Sequence, residues 1–251
     1  MMCVCLCLSC KSKDRHEWVD LGLSVKWATC NVGAENSEDF GDYFAWGETD
    51  TYYKNGFAQS DEPQWKDGKT EGYEDSSYKY SVYDDEYGCY LLVKYCNNED
   101  YGYRADFRDN KTTLEPEDDV AHVIWGGSWR MPTLEEFKEL MDEDNCSWIW
   151  TTQNGINGYN VTSKKPGYEG RSIFLPTAGY FDWTDLYDTG TDGYYWSSSL
   201  YTNENDPNFA INLVFEADDS DDSEDSENWF GPYECSSILR TRGLSVRPVC
   251  P

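Results

Sequence analysis

Trp125-Gly126-Gly127-Ser128-Trp129-Arg130-Met131-Pro132-Thr133, in the middle of the chain, and Gly243-Leu244-Ser245-Val246-Arg247-Pro248-Val249-Cys250, at its end, read as structural punctuation rather than catalytic motifs. The paired glycines allow a backbone reversal. Thr133 is an N-cap, and Glu136, three residues on, completes a capping box. Leu134, Phe137, Leu140 and Met141 follow at helical spacing, so one face of this helix is expected in the core. Arg130 reads as a hydrogen-bonding anchor before the cap, Trp129 and Trp196 as structural aromatics, and Arg247 as part of a closing strand. A fixed frame with a varying interval between its signatures suits recognition better than chemistry.

Working outward, Glu115-Pro116-Glu117-Asp118-Asp119 is expected to open an earlier helix, since acidic residues suit the positive end of the helix dipole. Val120, Val123 and Ile124 would give its apolar face, and metal binding by the acidic residues is the alternative. Trp18 to Cys30 alternates well enough for one or two short strands, and Gly41 to Gly47 reads as a short aromatic strand. From about Thr49 to Asn110 the chain is polar and tyrosine-rich, without a clear period. Apolar residues there are too sparse for a separate core, so an insertion is predicted. Beyond Asn145 everything reads as β: Ser147–Thr152 with Trp148 and Trp150 on one face, an Asn-Gly turn at 153–158, then Tyr159–Thr162, Ser172–Leu175, Gly193–Ser198, Ala210–Phe215 and Leu244–Arg247. Two helices followed by an irregular antiparallel array give an α+β class, with 17–251 as a single domain.

The chain has 251 residues and a net charge of −28, which excludes nucleic acid as a partner because its phosphates would be repelled. So much charge would suggest disorder, but 11 Trp and 20 Tyr are far more than a disordered chain carries. Tyr and Trp supply large rigid contact area at small entropic cost, as binding surfaces do.

Met1 to Asp14 contains four cysteines in its first ten residues. His16 alone does not complete a tetrahedral metal set, so an export segment over 1–16 is the better reading. Leu8-Ser9-Cys10 resembles the end of a bacterial lipoprotein signal, with Cys10 the lipidated residue and the outer membrane or cell surface the destination. The apolar stretch is short and no basic residue precedes it, as a truncated start would explain. No stretch approaches the about 20 apolar residues of a transmembrane helix. Cys30, Cys89, Cys96, Cys146, Cys235 and Cys250 permit disulfides, and the sequence chooses no pairing.

Val19-Asp20-Leu21-Gly22-Leu23-Ser24-Val25-Lys26-Trp27-Ala28, Gly41-Asp42-Tyr43-Phe44-Ala45-Trp46-Gly47, Lys111-Thr112-Thr113-Leu114-Glu115, Gly126 to Thr133, Tyr195-Trp196-Ser197-Ser198 and Val246-Arg247-Pro248-Val249 occur in that order. Over about Glu17 to Cys250 the chain thereby resembles the Fibrobacter succinogenes major paralogous domain, a family abundant in exported proteins of gut bacteria. That family is similar to the C-terminal domain of the Legionella collagen-like adhesin and to the C-type-lectin-like fold, which also serves the variable proteins of diversity-generating retroelements. The resemblance implies an irregular β-core with two flanking helices and a ligand surface in loops near the C-terminus. It supplies no catalytic residue.

The interval 200–239 is where a ligand surface is expected, through Tyr201, Asn203, Asn205, Asp206, Asn208, Trp229 and Tyr233. No lysine or arginine occurs from Ser172 to Leu239. The run containing Asp218, Asp219, Asp221 and Asp222 has three readings: a solvated loop, a Ca²⁺ site, or a contact for a cationic partner. Trp229 and Tyr233 would stack on a sugar or peptide, or serve as core. Enrichment in Asn, Asp, Ser and Tyr also fits a segment diversified by adenine mutagenesis. Carboxylates are too numerous for any pair to mark an acid–base couple, and no nucleophile elbow, zinc-protease helix or phosphate loop is present. Formylglycine-generating enzymes share a related fold, but no local motif lets Cys235 or Cys250 take their cysteine's role. The expectation is a non-enzymatic cell-surface binder of a glycan or protein, without a required cofactor apart from the Ca²⁺ reading. The alternatives are an appendage subunit and a retroelement-diversified receptor.

Overall fold

The computed structural model describes residues 16–51, 72–103, 108–202, 207–217 and 233–251. The described strands are β1 (Trp18–Val19), β2 (Lys26–Ala28), β3 (Ser81–Asp84), β4 (Cys89–Leu92), β5 (Cys146–Gln153), β6 (Ile156–Ser163), β7 (Ser172–Pro176), β8 (Tyr180–Asp182), β9 (Asp185–Tyr187), β10 (Asp192–Leu200), β11 (Phe209–Glu216), β12 (Tyr233–Leu239) and β13 (Val249–Cys250). Two short helices, α1 (Val120–Trp125) and α2 (Leu134–Met141), precede β5. The strands group as sheets β1-β2-β13, β5-β6-β7 and β10-β11-β12 and as hairpins β3-β4 and β8-β9, all antiparallel. The result is a mainly antiparallel β structure with few helices.

Alternation along β10 feeds two cores, since successive side chains leave a strand on opposite faces. Trp196 joins Trp46, Tyr95 and Leu244 in one core. Its neighbour Tyr195 joins Trp27, Phe137, Leu213 and Phe215 in the other. The chain's end then returns to its beginning. Val249 pairs with Trp27 and also bridges Arg130. Arg247 is fully buried and donates from Nε to Asn31 Oδ1 at 2.8 Å and from Nη1 to the carbonyls of Ala28 and Thr29, each at 3.2 Å. It therefore fixes the exit of β2. Leu244 and Ser245 make single bridges to Phe44 and Tyr195, so the regular ladder falls at β13 instead of at 244–247.

α2 begins as its sequence requires. Thr133 accepts from the Glu136 amide, and the Glu136 carboxylate accepts from the Thr133 amide at 2.8 Å. Arg130 closes the corner with a two-pronged pair to Glu136, one prong at 2.8 Å. Phe137 and Leu140 are buried. Thr133→Ala is expected to cost about 1 kcal/mol in chemical denaturation, the usual worth of an N-cap. No measurable loss would mean that the Arg130–Glu136 pair alone sets the helix start.

The acidic stretch before α1 is used differently from expectation. Pro116–Asp118 is a 3-10 turn, and Asp119 is the cap of α1, accepting from the amides of Ala121, His122 and Met131. Asp118 is buried and paired with Lys79 and Lys94. Val120 points inward, but Val123 and Ile124 are 48% and 47% exposed. A six-residue helix turns too little to bury all three, and Ala121 takes the inward place beside Val120.

The region 49–110, where described, is not a polar excursion. Tyr73, Tyr78, Tyr80 and Tyr95 are buried in the first core. The hydroxyls of Tyr73, Tyr78 and Tyr80 donate to the carbonyls of Tyr43, Trp46 and Gly47 at 2.6, 2.8 and 2.8 Å. Phenol rings here replace aliphatic side chains, and their hydroxyls satisfy the Gly41–Gly47 segment, whose expected strand is reduced to one bridge at Phe44. In the β5–β6 hairpin only the first Asn-Gly forms the turn, with both residues left-handed. Gly158 lies within β6, facing the Leu175 carbonyl. The six described cysteines are free thiols. No helix among the described residues is long and apolar enough to cross a membrane. The expected leader up to Arg15, with Cys10, lies outside the described residues.

Candidate functional site

The described members of the expected ligand face do not come together. β11 runs between them: Tyr201 and Asn208 lie at its start, where Tyr201 donates its amide to Phe209 and Asn208 accepts from the Arg240 amide. Tyr233 pairs with Phe215 near the other end. Eight strand residues separate those ends, roughly 25 Å. Tyr233 is half-buried and stacks on Trp148 with ring centroids 4.4 Å apart, so it packs the second core. Asn203, Asn205, Asp206, Trp229 and the acidic Asp218, Asp219, Asp221 and Asp222 lie outside the described residues. Among the described residues no group of three or more His, Cys, Asp or Glu is placed to hold a metal ion.

A different face is built on the β8–β9 hairpin, to which the sequence reading assigned no element. Tyr180 pairs with Tyr187, Phe181 with Leu186 and Asp182 with Asp185, with Trp183 in the turn between them. Phe181 is the inward anchor: fully buried, edge-on to Tyr43 at 5.0 Å and stacked on Tyr73 at 5.4 Å. Its amide donates to the Gly243 carbonyl at 2.8 Å and its carbonyl accepts from the Gly243 amide at 3.0 Å. The turn is held the same way, with the Tyr73 amide donating to the Trp183 carbonyl at 2.9 Å. Close approach explains two glycines here, since a Cβ on Gly72 would meet the Trp183 backbone at 2.6 Å and one on Gly243 the Tyr73 ring at 2.5 Å.

With Phe181 and its partner Leu186 turned inward, the alternate pair Tyr180 and Tyr187 turns outward. Tyr187 is 45% exposed, and Trp183, in the turn, is 58% exposed. Tyr180 stacks beneath Tyr187 at 5.6 Å and meets Tyr194 of β10 edge-on at 4.8 Å. Arg242 closes the other side of Tyr180, 4.9 Å above its ring, and donates to Asp182 at 2.9 Å. Around these rings stand Asp182, Asp185, Asp188 and Asp192. Burial, helped by the neighbouring Asp188, pushes the Asp192 carboxyl up against hydrogen bonds from Thr191 and Tyr194. Burial together with both aspartates pushes the Tyr194 phenol up, so it remains a neutral donor. Trp183 and Asp188 hold left-handed backbones with φ of 55° and 57°. Side chains rarely adopt that region, and such outliers gather at functional positions.

No protein-family model, curated protein or solved structure matches this chain. The site therefore rests on its geometry. It offers exposed aromatic planes, backed by a rigid hairpin and rimmed by acceptor groups. Such a face can stack on an apolar ring surface while its carboxylates accept hydrogen bonds at the edge. The sequence signal was present in Gly179-Tyr180-Phe181-Asp182-Trp183-Thr184-Asp185-Leu186-Tyr187-Asp188, where aromatic and acidic residues alternate after a glycine. Nothing in the sequence distinguishes the ring that turns in, Phe181, from those that turn out.

Proposed function

We propose that this protein is an exported, non-enzymatic recognition domain that binds a glycan on the Trp183–Tyr187 face. The observation that carries the reading is the pair of outward aromatics on a hairpin whose other face is locked into the core. A sugar ring presents apolar C–H faces and a hydroxyl edge, which match aromatic planes and a rim of aspartates. The ordered signatures of the paralogous-domain family, and with them a C-type-lectin-like fold and lipid anchoring through Cys10, fit a cell-surface role. The face differs from the expected one in place but not in kind.

The test is a glycan array followed by titration of a hit into the intact protein, in calcium and again in EDTA. Trp183→Ala and Tyr187→Ala are expected each to weaken binding about tenfold or more, as interface aromatics do, while leaving the denaturation midpoint unchanged. Undiminished binding in both variants would overturn the reading. A second reading, assembly into an appendage, is favoured by the β3–β4 hairpin, which carries exposed Val82, Tyr83, Tyr87 and Tyr90. Strand addition to that hairpin would give polymers in place of glycan binding.

A further inference from the structure

We propose that β5 pairs with the β5 of a second copy of this chain, joining two β5-β6-β7 sheets into one across a two-fold axis. Among the described residues β5 stands at the edge of its sheet and pairs with β6 alone. The direction of its backbone groups follows from β6. The Asn157 carbonyl accepts from the Thr177 amide at 3.0 Å, and the Ser163 amide donates to the Arg171 carbonyl at 2.9 Å, so these two residues bond towards the β7 side. Neighbours along a strand bond to opposite sides. Ile156, Gly158, Asn160 and Thr162 therefore bond to β5, through Gln153, Thr151, Ile149 and Ser147. That leaves the amides and carbonyls of Trp148, Trp150 and Thr152 pointing out of the edge, and among the described residues none of these groups has a hydrogen-bond partner. Cys146, at the start of the strand, is covered: its amide donates to the Asp142 carbonyl at 3.0 Å.

Exposed edges are usually protected by a charge, a proline or a bulge. β5, Cys146-Ser147-Trp148-Ile149-Trp150-Thr151-Thr152-Gln153, has none of these over its eight residues, although charged residues make up 27% of the chain. β7, at the other edge, is shorter and ends in Pro176, which has no amide to offer. Trp148 and Trp150 pack against the second core and hold the edge rigid, while Ile149 is 59% exposed. Charge selects the occupant, since two copies of a chain of net charge −28 can approach only where carboxylates are absent. The stretch also complements its own reverse. With the axis at Trp150, that residue meets its own copy and Trp148 meets the partner's Thr152, each pair exchanging both hydrogen bonds. Ile149 then stands opposite the partner's Thr151 on the face away from the second core, a favourable β-branched pair. The nearest carboxylates, Glu38 bound to Asn154 at the hairpin tip and Asp142, Glu143 and Asp144 ahead of β5, lie past its two ends. Such pairing uses up both edges, so assembly closes at two.

The experiment follows the intact protein by sedimentation velocity over a concentration series, at low and at high salt. A single strand pair is a small interface of the weak class, so a reversible monomer–dimer equilibrium is expected. It should tighten with salt, because screening relieves the repulsion between two acidic copies. Thr152→Pro removes an outward amide without touching the β6 ladder, and the symmetry repeats the loss, so dimerisation should weaken about tenfold or more. Ile149→Glu, at an exposed position, should weaken it likewise by bringing carboxylates together across the axis, with the denaturation midpoint kept. Hydrogen exchange gives a second readout: the Trp148, Trp150 and Thr152 amides should slow as protein concentration rises, whereas the Ile149 amide, already bonded to β6, should not. Monomer at every concentration in high salt would overturn self-pairing and leave the edge to a strand of another protein. A dimer untouched by both substitutions, a dimer lost instead in Tyr83→Glu on the β3–β4 hairpin, or growth into larger polymers would overturn it too. None of these outcomes bears on glycan binding by Trp183 and Tyr187, so the two readings fail separately.

Discussion

Asp118→Asn is expected to lose about 2–3 kcal/mol of stability at neutral pH, because it removes the acceptor that holds three donors together. The Asp118 side chain is 4% exposed, and it faces Lys94, Lys79 at 3.0 Å and the Tyr95 hydroxyl at 2.7 Å. Breaking a fully buried pair costs about 3–5 kcal/mol. The lower range applies because Lys79 remains 47% exposed and Lys94 keeps Glu115 at 2.6 Å. For a chain of this length the loss corresponds to a fall in Tm of about 5–10 °C. The lost tie joins three distant pieces of chain: the turn before α1, the tyrosine-rich segment carrying Lys79, and Lys94-Tyr95, whose carbonyls also accept from buried Arg240.

The same group gives a pH dependence whose sign is fixed. Burial alone would raise the Asp118 carboxyl, but hydrogen bonds from Lys94, Tyr95 and Lys79 overcome it and hold it well below the ordinary carboxylate range. In the unfolded chain it titrates near the usual value of about 3.9. Below that pH the unfolded state takes up a proton that the folded state refuses, so stability falls as acid is added. The contribution is complete at neutral pH and lost progressively from about pH 5 downward. Glu136, lowered against burial by Arg130, acts in the same direction, whereas Asp119 and Asp192, raised chiefly by burial, act against it. Denaturant titrations of the native chain and Asp118→Asn should therefore differ most at pH 7, and the gap should begin to narrow below about pH 4. A gap of constant size would show that the lost interaction is not charge.

What was legible in the sequence was whatever follows from local backbone chemistry. The capping box at Thr133, the Asn154-Gly155 turn and the alternation through β10 and β11 each depend on residues within a few positions of one another. What was not legible depends on partners far away in the chain. Tyr78 and Tyr80 look like polar linker until Trp46 and Gly47 supply carbonyls for their hydroxyls. Asp118 looks like helix initiation until Lys79 and Lys94 arrive beside it. The interval 200–239 looked continuous, but antiparallel pairing sends its two connections to opposite ends of one sheet. Pattern reading placed the strands of that sheet and not the consequence of their pairing.

Gly179→Ala is expected to be the most damaging single change near the candidate site, because it fails in two independent ways. Gly179 has φ of 62°, a backbone that a Cβ disfavours by about 1 kcal/mol. A Cβ there would also lie 2.0 Å from the Tyr187 carbonyl oxygen and 2.9 Å from the Thr189 amide nitrogen. Both are backbone atoms and cannot swing aside as a side chain would. Relief requires Gly179 and the end of β9 to separate, which strains the hydrogen bond from the Gly179 amide to the Asp192 carbonyl at 2.9 Å. Overpacking of this kind adds about 1–3 kcal/mol, so the total is about 3 kcal/mol, or about 6–12 °C in Tm. The displaced strand carries Tyr187, and the strained bond adjoins the Asp188–Tyr194–Asp192 group. Glycan binding should then fall together with stability, unlike in Trp183→Ala, where binding falls alone. If Gly179→Ala kept its midpoint and still lost binding, the glycine would be touching ligand, not supporting the hairpin. If it lost stability but bound normally, the ligand face would lie elsewhere than on β9.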